Sequence, residues 1–545
     1  MSIKQEKTKV IFIFGGVYSS LGKGIIVSSI AKILTNLNKK VSILKFDPYL
    51  NIDPGTMAPG QHGEVYVTKD GAQTDLDLGY YERFIGRELT QLSSVTSGRI
   101  YNEIIRRERE GKYNGKTVQV IPHVTNEIKE RIYQIIQSET PDFLIIEVGG
   151  TVGDSESIPF TEAISQFVLD HGQENTIVCL VSPLISLSST SGELKTKPTQ
   201  HSIKQLRSLG VSPNFLILRT NVEVGENTFE KIQLSSHIYK DNIFISPDLK
   251  SIYELPEKLY EQNIHLRIFD YFKIKYDKEN DTFKKNWVSY MNDVRSIKNS
   301  IKIALIGKYT NLHDAYASVL ESLRLAGYEN KVNIEIKWID AETVTPNNIG
   351  GFLKDCNGVV VPGGFGIRGI EGMITAINYV RTHDIPFIGI CLGMQLVCLE
   401  YARNVLGIKD ANSTEFDPNT EEAIIDLMAD QKSVVNMGGT LRLGNYECHI
   451  KEKSIASKIY KTDVMQQRHR HRYALFHQNY IKQLENNGLK IGAIRYYNNK
   501  ILVEFVECDK LKCFIGCQYH PELHSKPKNV DPFFLHFVKQ SIKSK

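Results

Sequence analysis

Residues 10–46 read VIFIFGGVYSSLGKGIIVSSIAKILTNLNKKVSILKF, and the order of patterns inside them sets the fold class. Residues 10–14 are apolar without alternation, as in a strand buried on both faces. Gly15, Gly16, Gly22 and Gly24 then break the chain around Lys23. Ile26, Ile30, Ile33, Leu34 and Leu37 recur at helical spacing and mark one apolar face. Residues 41–46 form a second apolar run. Strand, glycine loop, helix and strand make a βαβ unit.

Outward from this unit the alternation continues, with strands predicted at 143–148, 176–181, 215–218 and 243–245. A polar, lysine-rich stretch at 270–300 reads as a helix plus linker, and a second α/β series follows at 301–307, 332–339, 358–361 and 386–390. Residues 489–497 and 501–508 flank Asn498, Asn499 and Lys500 as an antiparallel hairpin. The fold class expected is α/β with two doubly wound domains. Their boundary is placed near 290–300.

The composition, 545 residues with 23% charged and 41% hydrophobic, supports full cores and excludes a disordered or disulfide-stapled chain. A formal net charge of +4 gives no overall field that favours nucleic acid. The eight cysteines are irregularly spaced, so neither a zinc site nor a disulfide framework is expected. The chain enters its first strand without a signal-peptide core, and no apolar run reaches about 18 residues. A soluble cytoplasmic protein without membrane or nucleic-acid partners is expected.

The loop Gly15–Gly24 follows a strand and opens a helix, so its N–H groups and the helix end can cradle phosphate, with Lys23 as point charge. It is not a standard P-loop, because Gly24 stands where Ser or Thr would hold a metal. Metal ligands must come from elsewhere. Asp75 and Asp77 lie in TDLDL, and Glu147 ends an apolar strand just before GGTVGD, facing the crevice of an open sheet. A turn cap is the plain alternative for Asp75 and Asp77. Lys45, at the end of the second strand, can neutralise phosphoryl charge. KTKPTQHS, residues 195–202, is a basic island read either as a triphosphate grip or as a solvated loop, with Pro198 holding Lys197 extended.

In the second half, Gly389-Ile390-Cys391-Leu392-Gly393 forms a nucleophile elbow with cysteine at its apex, at the positive end of a helix. Gln518-Tyr519-His520-Pro521-Glu522 supplies a base and its orienting carboxylate. Pro362-Gly363-Gly364 follows another buried strand, and the N–H groups of Gly364 and Leu392 can stabilise an oxyanion. Any one cysteine is more often core than nucleophile. Three such pieces at strand ends reverse that reading.

Together GGVYSSLGKGI, KFDPYLNIDPGTMAPGQHGEVYVTKDGAQTDLDLG, EVGGTVGDSES and KTKPTQHS resemble the CTP synthase family across essentially the whole chain. The second half resembles a class I glutamine amidotransferase domain. The resemblance implies an amidoligase domain at 1–272, a linker at 273–300 and a glutaminase domain at 301–545. The implied reaction is ATP-dependent amination of UTP to CTP through a 4-phosphorylated UTP. Ammonia comes from glutamine at the triad Cys391, His520 and Glu522.

By the same resemblance, ATP contacts fall on Ser20, Leu21, Gly22, Lys23, Gly24 and Ile25, and on Pro247, Asp248 and Leu249. Lys45 and Asp77 belong to that site, and Asp77 and Glu147 match magnesium ligands. Ser19, Lys195, Thr196, Lys197, Pro198, Thr199, Gln200 and Lys231 match UTP contacts. Asp154, Ser155 and Glu156 match those of the inhibitory product CTP. Glutamine contacts fall on Gly364, Leu392, Gly393, Met394, Gln395, Glu415 and Arg472. His62 lies in the segment associated with ammonia passage. The family also implies GTP as an allosteric activator, whose site is not placed, and homotetramers that stack into filaments.

Tyr18, Phe46, Gln467 and residues 474–476 depart from the family pattern without removing a reacting group. Two rival readings are a different synthetase carrying a glutaminase domain, such as a cobyrinic-acid amidase relative, and a catalytically silent filament-forming protein. The KTKPTQ and DLDLG segments oppose the first, and the intact triad and phosphate loop oppose the second.

Overall fold

The computed structural model describes residues 7–186, 194–428, 431, 438–497 and 500–544. The chain divides into two compact units. One is the chain up to Asp53 together with Tyr80–Arg295; the other is Pro54–Gly79 together with the chain from Ser296 onward.

In the first unit seven strands form a single sheet, in the order Ile243–Ser246, Phe215–Arg219, Thr176–Pro183, Lys9–Gly15, Phe143–Val148, Val41–Asp47 and Ser94–Thr96. Every pairing is parallel. Each such pairing requires a crossover, and the crossover helices bury both faces, which is why these strands read as unbroken apolar runs. Val10, Phe12, Phe14, Leu44, Ile146 and Phe167 are among the side chains of one shared core. The helix Lys23–Asn36 begins after Gly22, whose φ of +79° only glycine adopts without strain. Lys9–Gly15 lies at the centre, with later strands winding outward to both sides. This is the switch point at which α/β sheets bind ligands.

The second unit has a nine-stranded sheet with a parallel half and an antiparallel half. Asn333–Asp340, Ser300–Gly307, Gly358–Val361, Phe387–Ile390 and Phe514–Cys517 run parallel. Lys500–Glu507, Lys490–Tyr497, Arg442–Ile450 and Val464–His471 continue it antiparallel. The expected hairpin is Lys490–Tyr497 against Lys500–Glu507, and its turn residues Asn498 and Asn499 lie outside the described residues.

One local expectation changes. Lys197 is not extended: the helix Lys197–Ser208 begins there, with Pro198 in its first turn. Proline is tolerated at that place because its missing N–H would have had no helical partner. Among the described residues no helix is long and apolar enough to cross a membrane.

Candidate functional site

At the carboxyl ends of the central strands of the first unit, the glycine loop is stitched to its neighbours. Gly16 N–H donates to Val181 O (2.7 Å) and Val17 N–H to Ser202 Oγ (3.1 Å). Lys23 Nζ folds back to Gly150 O at 2.6 Å. Gly15 permits this, since a Cβ there would lie 2.5 Å from that ammonium. Leu21 and Gly24 are buried and Gly22, Lys23 and Ile25 half-buried, which leaves Ser19 and Ser20 on the exposed arc.

Glu147, two per cent exposed, receives Lys45 Nζ on Oε1 at 2.9 Å and the Tyr81 hydroxyl on Oε2. Lys45 also lies 3.8 Å from Asp47. Each carboxylate oxygen of Glu147 keeps a further lone pair, and a hard oxygen donor at a strand end suits magnesium. Asp77 opens the helix Asp77–Ile85, and its N–H donates to Asp75 Oδ1 at 3.0 Å, so Asp75 caps the turn.

The other sequence-derived nucleotide residues divide into those held by the fold and those left exposed. Asp154 Oδ2 accepts from Thr151 N–H at 2.8 Å and so shapes the turn after Glu147, with Ser155 and Glu156 exposed beside it. Arg219 holds Pro247 O (2.8 Å) and Asp248 Oδ1 (2.5 Å), with Leu249 half-buried beyond them. Within the basic island, Thr199 is fully buried: its hydroxyl donates to Pro183 O (3.0 Å) and accepts from Ser182 (3.2 Å), which fastens the helix to the sheet. Thr196 is buried too, and Gln200 Nε2 donates to its hydroxyl at 3.0 Å. Lys195 and Pro198 are half-buried, and Lys197 and Lys231 exposed.

The second unit carries a more tightly specified arrangement. Cys391 joins the strand Phe387–Ile390 to the helix Leu392–Asn404 with φ 52° and ψ −103°, a strained conformation for any residue but glycine. Gly389 and Gly393 make that turn possible. A Cβ on Gly389 would lie 2.7 Å from the Gly393 backbone, and one on Gly393 would lie 2.1 Å from Val361 O. His520 follows the neighbouring parallel strand Phe514–Cys517, in register with Ile390 against Cys517. Sulfur and imidazole therefore emerge at the same sheet end.

His520 Nδ1 faces Glu522 Oε1 at 2.7 Å, and His520 N–H donates to Arg468 O at 2.8 Å. Its Nε2 is buried with no hydrogen-bond partner among the described residues. A Cβ built on Gly363 would touch both sides of the pair, 3.2 Å from His520 Cε1 and 3.6 Å from Cys391 Cβ. Burial disfavours the imidazolium, but the Glu522 carboxylate and the Cys391 sulfur outweigh it and raise His520 above its ordinary value.

Around the triad, Glu415 accepts from Gly366 N–H at 2.7 Å. Burial raises its carboxyl against the opposing pull of that N–H, Lys308 and Arg472. Arg472 donates to Thr440 Oγ1 at 3.0 Å, and Gly364 lies against Leu392. Met394 is fully buried and packs on Gly516, so its side chain serves the core.

Two contributors were missed from sequence. Lys308 follows the strand Ser300–Gly307, lies along Gly364 and donates to Phe365 O at 3.0 Å. Burial lowers its ammonium to about 8. Its signal, a lysine just past the carboxyl end of a strand, resembles the one that marked Lys45. The other is that Pro54–Gly79, which holds His62, Asp75 and Asp77, folds with the later unit, where the Tyr66 hydroxyl accepts from Arg468 (2.7 Å) and donates to Leu523 O (3.1 Å). A cavity of about 70 Å³ is lined by Cys391, His520, Gly363 and Gly364, and by Pro59, Glu64 and Val65 from this segment. His62, three residues after Pro59, is exposed and outside that lining. Elsewhere Cys448, His469 and Glu504 converge in the core, where Arg442, 2.8 Å from Glu504, already provides the balancing charge.

A thiol on a strained elbow with an imidazole and a carboxylate in one unit, and a glycine loop opening a helix in the other, point to a ligase that draws nitrogen from glutamine. Comparisons with known proteins give the particular family. The CTP synthase N-terminus model matches residues 9–274, and the class I glutamine amidotransferase model matches 311–540. CTP synthases of Clostridium beijerinckii and Staphylococcus epidermidis are 47% and 48% identical over 536 and 537 residues, each match covering 98% of this chain and 98% and 99% of the relative. The glutaminase domain of Trypanosoma brucei CTPS with bound acivicin is 34% identical, covering 45% of this chain and 95% of that one, with a TM-score of 0.43. The chain belongs to the CTP synthase family. As a member it is an enzyme that aminates UTP to CTP with nitrogen from glutamine and ATP as co-substrate.

Proposed function

We propose that the two steps divide between an amidoligase domain at residues 1–272 and a glutaminase domain at 301–545, joined by 273–300. The observation that carries the glutaminase half is the convergence of Cys391, His520 and Glu522 at one sheet end. The Cys391 thiolate attacks the side-chain amide carbon of glutamine, and the N–H groups of Gly364 and Leu392 hold the oxyanion. His520 protonates the departing nitrogen, leaving a γ-glutamyl thioester and ammonia. Water, deprotonated by His520, then releases glutamate and restores the thiol. Glu522 keeps Nδ1 protonated so that Nε2 exchanges the proton. Leu392, Gly393, Gln395, Glu415 and Arg472 position the substrate, and the segment around His62 carries the ammonia onward.

In the amidoligase half, the γ-phosphoryl group of ATP passes to O4 of UTP, ammonia adds at C4, and phosphate leaves to give CTP. Ser20, Lys23 and neighbouring loop residues, Lys45 and the segment at 247–249 bind ATP. Ser19, Lys195, Lys197, Gln200 and Lys231 bind UTP. Asp77 and Glu147 would hold magnesium, which neutralises phosphate charge when bound. Product CTP inhibits at Asp154, Ser155 and Glu156, and GTP activates the glutaminase. The working form is a cytoplasmic homotetramer able to stack into filaments.

The test is purified protein with ATP, UTP, magnesium and glutamine. CTP, glutamate, ADP and phosphate should form in equal amounts, seen as rising absorbance when uracil becomes cytosine. No product with UTP, together with turnover on a carboxylate substrate, would favour a different glutamine-fed synthetase.

A further inference from the structure

Cys391 Sγ has a buried neighbour that no step above uses. Gln518, fully buried one residue past the strand Phe514–Cys517, places its side-chain Nε2 3.6 Å from that sulfur. An amide can face sulfur with either its N–H or its oxygen, and the two have opposite effects on a thiolate. Here neighbouring groups fix the orientation. Tyr473 O can only accept, so the Gln395 side chain must turn its Nε2 toward it, at 3.1 Å. The same Nε2 reaches Gln518 Oε1 at 3.1 Å, which makes that atom the acceptor. Gln518 is left presenting its N–H to Cys391. The Gln518 backbone is also held, its N–H donating to Glu504 O at 2.9 Å.

We infer that Gln518 is a positioning residue for the nucleophile: the relay from Tyr473 O through Gln395 and Gln518 delivers an N–H to Cys391 Sγ and stabilises the thiolate. This rests on the reading of Cys391 as nucleophile. His520 supplies charge to the sulfur from one side, and Gln518 supplies a neutral, directional donor that persists through each proton transfer. A donor to an anion is worth about twice one to a neutral group. Gln395, by the same geometry, has both side-chain donors committed inside the protein.

The test compares wild type with Gln518→Glu and Gln518→Met. In Gln518→Glu, Gln395 still donates to one oxygen and the other oxygen faces sulfur, so the donor becomes a like charge. In Gln518→Met the donor is removed at similar volume. Three quantities are measured: kcat and KM for glutamine, the rate of Cys391 alkylation by iodoacetamide at fixed pH, and CTP synthesis from added ammonia. Glutamine kcat and the alkylation rate should fall together by about tenfold to a hundredfold, the range of one hydrogen bond to a charged group, with Gln518→Glu the slower. KM and ammonia-dependent synthesis should stay as in wild type.

Unchanged alkylation in Gln518→Glu overturns the inference, and so does an equal loss of ammonia-dependent synthesis, which marks a merely structural role. A separate result tests the underlying reading. Alkylating Cys391 in the wild type must abolish glutamine use, and if it does not, the nucleophile assignment fails rather than the relay.

Discussion

Both halves of the chain place a glycine-bounded turn between a buried strand and a helix, yet the two turns are built on opposite plans. At the Cys391 elbow every neighbour is close: Cβ atoms on Gly389 and Gly393 would collide with backbone, and the apex residue itself is strained. At the first loop no described residue crowds Gly22, Ser19 and Ser20 are exposed, and Lys23 is parked on Gly150 O. Covalent catalysis needs sulfur, imidazole and carboxylate fixed before substrate arrives, because misplacement by an ångström costs rate. An anion cradle needs vacant space bordered by N–H groups, and its charged side chain can swing in afterwards. The difference shows which parts of a site must be rigid in the resting protein.

The strongest attempt to break the comparison is Cys391→Ala. Glutamine-dependent CTP synthesis should fall by roughly 10⁴-fold or more, as for a triad nucleophile. Synthesis from added ammonia should persist, and equal loss of both would reject separate sites. Lys45→Ala should lower both rates by on the order of 10²–10³-fold, the scale for one electrostatic donor at a transferring group. It also strips the buried Glu147 of its cation, so thermal unfolding measured alongside should show a lower midpoint. Full activity from either nitrogen source would remove Lys45 from the mechanism.

A glycine pair sharpens the contrast. Gly393→Ala drives a methyl into Val361 O and should cost about 1–3 kcal/mol of overpacking and most of the glutamine-dependent rate. Gly22→Ala meets no atom of the described residues and should cost only the left-handed backbone penalty of about 1–2 kcal/mol. Denaturant midpoints for the two variants check the order. The smallest effect concerns Lys308, whose folded pKa of about 8 lies below its ordinary 10.5. The unfolded chain binds more protons across that window, so wild-type stability should rise as pH increases from about 8 to 10.5. Lys308→Met should flatten that rise in pH-dependent thermal unfolding.

The parts legible from sequence were those with a local cause. Phe143–Val148 and Gly358–Val361 were predicted at their observed bounds, because buried parallel strands leave an unbroken apolar run. Cys391, His520 and Glu522 were legible as residue types at strand ends. The antiparallel half of the second sheet showed only as its one hairpin, since Arg442–Ile450 and Val464–His471 carry charged and polar residues throughout. Thr199 reads as a loop hydroxyl free to meet a ligand, and only the fold turns it toward Pro183 O.

By itself, then, the sequence determined two α/β windings, the glycine loop and the chemical identities of thiol, imidazole and carboxylates, because these follow from neighbours within a few residues. Tertiary structure alone decided that Pro54–Gly79 folds with the later unit, that Lys308 lies beside Gly364, and that Gln518 turns an N–H toward Cys391. Those outcomes depend on atoms tens to hundreds of residues apart, selected by burial and by which hydrogen-bond donors remain once each acceptor has been matched.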